Sequence, residues 1–104
     1  MPSKIKPRLH DGRSGAAIML EVVCEAKNNR LRKQRDDGVL ILELTNQEHD
    51  PGLNQTILQY LAASFQVPLK NFQIIDGSDR KKKLIGIYGL DSDALQNKIE
   101  TLLH

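Results

Sequence analysis

A chain of 104 residues with 39% hydrophobic and 27% charged content is one domain's worth of sequence, large enough for an apolar core and too apolar to stay unfolded. Its single cysteine, Cys24, excludes an internal disulfide and a cysteine-based zinc site, and no apolar run approaches the roughly 18 residues of a membrane span. A net charge of +2 is too small to imply a nucleic-acid partner by itself.

Residues 1–15 carry Pro2, Pro7, Gly12 and Gly15 with almost no apolar pattern and read as a flexible basic leader. The domain proper is expected over residues 16–104. From Ala17, the run AIMLEVVCE puts Ile18, Leu20, Val22 and Cys24 on one face and Glu21 and Glu25 on the other, the period of a half-buried strand. A polar segment then ends at Asp37-Gly38, a turn signal, and VLILELT forms a second strand with Leu40, Leu42 and Leu44 on one face. Two strands joined this way are most simply a hairpin with a long basic loop.

The polar stretch NQEHDPG leads into a helix, with Asp50 as the expected N-cap and Pro51 at the first helical position. Leu53, Ile57, Leu61 and Phe65 recur every fourth residue, and Pro68 follows the end of the helix near Gln66. Phe72 and Ile74 mark a third strand, Asp76-Gly77 a tight basic loop, and residues 84–88 a fourth strand. Asp91 caps a last helix with the stripe Leu95, Ile99, Leu102 and Leu103, and Leu90 with Leu95 completes a hydrophobic staple.

The expected fold is therefore α+β: a two-layer sandwich of a four-stranded mixed sheet with two helices on one face, in the order β-β-α-β-β-α. The link after Val67 is short, so the first helix and the third strand run antiparallel. The helix start and the loop between the third and fourth strands must then share one end of the molecule.

These residues resemble the YggU-like family of small conserved proteins of unknown function. That family has a Gly-Lys-Ala-Asn stretch opening a helix of the form ALIxFLAKxLGVPKSxVEIVSG, a basic turn SGxxSRxK and a strand ending in Ile-x-Gly. Here Asn54 stands at the motif asparagine, and Val67-Pro68-Leu69-Lys70 matches the helix exit. Gly77 matches the turn glycine, Lys81 and Lys83 the two basic positions, and Ile87 and Gly89 the strand end. The likeness spans about residues 18–103. The departures are that the motif lysine is Gly52, the motif glycine Pro51, the turn serines Asp76 and Arg80, and the Pro-Gly ending the first strand Cys24-Glu25. A diverged member is implied, with a four-stranded mixed sheet and two helices, and no activity carries over because the family has none established.

Every basic residue except Lys70 and Lys98 falls in segments read as leader or loop. The first candidate site is the shared end: Asn54 at the helix start with Gly77, Arg80, Lys81, Lys82 and Lys83 in the facing loop. A helix N-terminus with such cations suits an anion. The plain alternative is structural, with Asn54 bonding loop backbone and the lysines in solvent. A secondary site is the basic loop bearing Lys27, Arg30, Arg32, Lys33 and Arg35, whose alternative is a solvated hairpin. Few aromatics and no Trp leave no stacking platform for single strands. His10, His49 and His104 lack ligand spacing, so no metal or cofactor is expected. Cys24 reads as a core thiol. No nucleophile elbow, phosphate loop or paired-carboxylate motif occurs, so no catalytic residue is assigned.

The leading expectation is a non-enzymatic binding module for RNA or another polyanion, a cytoplasmic monomer with no membrane partner. The basic leader keeps organelle targeting as an alternative location. A second reading is a protein-interaction domain using an edge strand or the sheet face that carries Val39, Ile41 and Ile75. A third is a small hydrolase or transferase at the same polar end.

Overall fold

The computed structural model describes residues 15–33 and 39–103. The expected leader lies outside the described residues, as do Arg35 and His104, except that Gly15 already opens the first strand. In chain order come β1 (Gly15–Val23), β2 (Arg30–Lys33), β3 (Leu40–Glu43), α1 (Leu53–Phe65), a 3-10 turn (Leu69–Asn71), β4 (Phe72–Asp76), β5 (Lys82–Tyr88) and α2 (Ser92–Leu103).

The α+β class holds, but the sheet has five strands, in the order β2-β3-β1-β5-β4. The expected four-stranded β-β-α-β-β-α order is thus corrected to β-β-β-α-β-β-α. The additional strand is β2, inside the segment read as a basic loop. It pairs antiparallel with β3, Leu31 facing Leu42. The expected first hairpin does not form. β1 and β3 run parallel, with Leu20 beside Leu40 and Val22 beside Leu42, and residues 24–39 supply the dozen or more that a parallel connection needs.

Alternation along β1 sends Ala16, Ile18, Leu20 and Val22 into one core cluster with Leu40, Leu42 and Leu44. Ile57, Leu61 and Phe65 of α1 and Leu95 and Ile99 of α2 fill that same cluster, so both helices pack on this side of the sheet. Leu20, Leu42, Ile57 and Leu61 are fully buried, each contributing about 1.5–3 kcal/mol of apolar burial. Phe65 at the end of α1 stacks on Phe72 of β4, ring centres 6.5 Å apart, which ties helix exit to strand entry. Val39 and Ile41 are buried but stand outside this cluster, as alternation requires for the opposite side.

Both helix starts have local causes. At α2 the Ala94 N–H donates to Asp91 Oδ1 at 2.8 Å, the expected cap. At α1 the expected cap moves. Asp50 accepts from the Gly52 N–H at 2.8 Å through Oδ1 and from the Leu53 N–H at 3.0 Å through its carbonyl. With Pro51 second and Gly52 at φ −92°, ψ 10°, this is a type I turn closed by an aspartate side chain. Gly52, not Asp50, is the N-cap, and α1 begins two residues later than expected, at Leu53.

Candidate functional site

The parallel pairing of β1 and β3 carries three connections to one end of the sheet: residues 24–29, 44–52 and 77–81. Between the last two lies a cleft of about 430 Å³. Val22, Cys24 and Leu53 supply its apolar lining, and Asn54, Ser78 and Lys83 are among its polar groups. The expected meeting of helix start and basic loop is therefore present.

The turn after β4 is locked from both sides. Gly77 has φ +79°, and a Cβ there would stand 2.2 Å from the Lys82 carbonyl oxygen, so only glycine fits. Its carbonyl accepts from the Arg80 N–H at 2.9 Å and from Lys83 Nζ at 3.1 Å. The Ser78 carbonyl accepts from Lys83 Nζ at 3.0 Å and from Asn54 Nδ2 at 3.0 Å. Asn54 and Lys83 thus clamp the same carbonyl, one from the helix and one from the strand. Both lone pairs of that oxygen are used.

Lys83 is 3% exposed, the one buried charged residue among those described. Alternation on β5 turns it to the helix side, beside Ile85 and Ile87. Burial pushes its ammonium below the ordinary lysine range, and Asp79 and Cys24 act in the opposite sense. The remaining cations differ. Lys81 lies 3.6 Å from Glu48, and Arg80 lies 3.0 Å from Asp76 and 3.8 Å from Asp79, all in exposed pairs. Lys82 pairs across the sheet with Glu21, and alternation sends it to the face opposite Lys83. Of the residues expected at this site, Asn54, Arg80, Lys81 and Lys83 reach the cleft, Gly77 shapes it and Lys82 turns away. The structural alternative is half right: Asn54 does bond loop backbone, but Lys83 is not in solvent.

Across the cleft Asp50 is held by Gly52 and by Asn46 Nδ2 at 2.8 Å, and these two hydrogen bonds lower its carboxyl below the usual range. Cys24 is half-buried just past the end of β1 and lines the cleft. Burial raises its thiol, and Glu48 and Glu25 add to the rise, so it is a poor nucleophile. Glu48 lines the cleft without a sequence signal that singles it out, whereas Ser78 belongs to the loop that the sequence assigns to this end and His49 adjoins Asp50. Ser78 acts through its carbonyl, which no side-chain pattern reports.

The secondary basic segment is dispersed. Arg32 Nε donates to Glu43 at 3.0 Å, and Lys33 Nζ lies 3.3 Å from Glu100 of α2. Arg30 pairs with Glu43 across the strands, and Lys27 is exposed in the preceding loop. Among the described residues, no three His, Cys, Asp or Glu side chains gather as metal ligands, and no helix is long and apolar enough to cross a membrane. No known family model and no curated protein sequence matches the chain.

Proposed function

We propose that this chain is a diverged YggU-like protein acting as a non-enzymatic, monomeric, cytoplasmic binding module for RNA or another polyanion. The observation that carries the binding reading is the clamp on the Ser78 carbonyl, which holds the cations of the β4–β5 turn over the start of α1. Exposed ion pairs such as Lys81–Glu48 are worth about 0–1 kcal/mol, so a phosphate displaces the acids there at little cost.

The family reading has support from the backbone. Among the described residues, two that are not glycine hold positive φ, Glu25 and Gln66, both at 58°. Glu25 stands where the family ends its first strand in Pro-Gly, and Gln66 where the helix motif reads Leu-Gly-Val-Pro. Both are left-handed positions that glycine fills without strain. At Gln66 the Val67 N–H also bonds the Ala62 carbonyl at 3.2 Å, the helix ending that favours glycine at this point.

Chemical-shift mapping with a short RNA, repeated at two salt concentrations, tests the binding reading. Shifts at Asn54, Ser78 and Lys81 and an affinity that falls with salt are expected. Binding that ignores salt, or none, removes the reading. The second reading, a protein partner on the helix-free sheet face, draws on Met19 and Val23, which expose 39% and 40% of their surface on the central strand. A partner protein that shifts those two residues and leaves the cleft unmoved would favour it.

A further inference from the structure

The groups at the cleft divide into a rim with more acids than cations and one covered cation. Among its lining residues, Glu48, Asp50 and Asp79 outnumber the two exposed cations, Arg80 and Lys81. A nucleic-acid backbone draped across this end therefore meets acids more often than cations and gains little from the rim alone. Lys83 is different. It is 3% exposed yet lines the cleft. Two of its three N–H groups go to the Gly77 and Ser78 carbonyls, which leaves one donor of the ammonium for a ligand.

Access to that donor selects the ligand. A backbone diester carries a sugar on each side of its phosphate, and both would have to enter a cleft of about 430 Å³. A phosphate monoester projects from one carbon, offers three acceptor oxygens and carries between one and two negative charges near neutral pH. Within the polyanion reading, on which this rests, we infer that the cleft receives a phosphate monoester, at an RNA end or on a nucleotide. The phosphate sits on Lys83 Nζ, with Arg80 and Lys81 at the rim. Asp50 remains an anion at the rim, its carboxylate held in place by the Gly52 N–H and by Asn46 Nδ2.

The unaltered chain decides the matter when titrated with two short RNAs that differ only in a 5′-phosphate, and with adenosine 5′-monophosphate. The phosphorylated strand is expected to bind about tenfold tighter, the gain of a charge-assisted hydrogen bond. Its phosphate should shift the amides of Asn54, Ser78 and Lys83. The same shifts from the mononucleotide assign the site to the monoester itself; their absence, with the strand preference intact, assigns it to RNA ends. Equal binding of the two strands overturns the inference and leaves the polyanion reading standing, whereas no binding of either strand removes both. In Lys83→Met, with the fold checked by its amide spectrum, the preference should vanish. A folded Lys83→Met that keeps the preference also overturns the inference.

Discussion

Two segments of this chain are almost equally basic in sequence, residues 27–35 and residues 80–83, and the fold treats them in opposite ways. The second becomes a tight turn whose carbonyls are clamped by Asn54 and Lys83. Within the first, Arg30–Lys33 form the edge strand β2, whose alternation sends Arg32 to Glu43 on one face and Lys33 to Glu100 on the other. A cluster of charge in sequence stays a cluster in space only where the backbone turns. Extended chain deals successive side chains to opposite sides, and on an edge strand such cations also discourage pairing with another chain.

The contrast is most directly broken at Gly77. Alanine there would place Cβ 2.2 Å from the Lys82 carbonyl oxygen at a φ of +79°. Gly77→Ala should cost about 2–4 kcal/mol, read as a lower denaturant midpoint at unchanged slope. RNA binding at the cleft should fall with it, since the turn carries Arg80 and Lys81.

This turn was legible because Asp-Gly is a strong local signal and the short Val67-Pro68 link dictates which end it occupies. β2 was not legible for a physical reason. It buries one side chain, Leu31, so RLRK shows no apolar period, and its pairing is decided by Leu42 and the rest of β3. The parallel partnership of β1 and β3 was hidden by the same omission, since without β2 the two strands look like neighbours in a hairpin. The sequence marks Asp50 as a capping residue, but its side chain closes the Pro51-Gly52 turn and the helix starts beyond it. Lys83 read as one of four loop cations; only the register of β5 against β1, Lys83 beside Leu20, reveals that it is turned inward.

The loop that leads into β2 differs from the β4–β5 turn in a second respect. Its left-handed residue is Glu25, at φ 58°, held by hydrogen bonds from the Glu25 N–H to the Asn46 carbonyl and from the Ala26 N–H to the Leu44 carbonyl. A side chain in this conformation costs about 1–2 kcal/mol, partly offset by the backbone entropy that glycine would lose. Glu25→Gly should therefore raise stability by about 0.5–1 kcal/mol, the opposite sign to Gly77→Ala, and Gln66→Gly should do the same at the end of α1. Urea unfolding reads both. A loss at both positions would show that neither accepts glycine and would count against aligning them with the family's glycines.

The smallest effect is expected on β2 itself. Arg32 and Lys33 keep 41% and 40% of their side chains exposed within their ion pairs, and pairs so exposed contribute about 0–1 kcal/mol. Arg32→Ala with Lys33→Ala should thus shift the unfolding midpoint little, and Arg80→Ala with Lys81→Ala should do no more. RNA affinity is what separates them. Each phosphate that the protein no longer neutralises reduces the slope of log affinity against log salt by about 0.7 for a single strand. The Arg80 and Lys81 pair should flatten that slope, and the Arg32 and Lys33 pair should leave it as it is. Across strands spaced about 4.8 Å apart, β2 lies three strands from β5, too far to share a phosphate seated in the cleft. Equal flattening by both pairs would mean that RNA tracks the whole end of the sheet, and the distinction between a built turn and a dispersed edge would no longer describe how this protein binds.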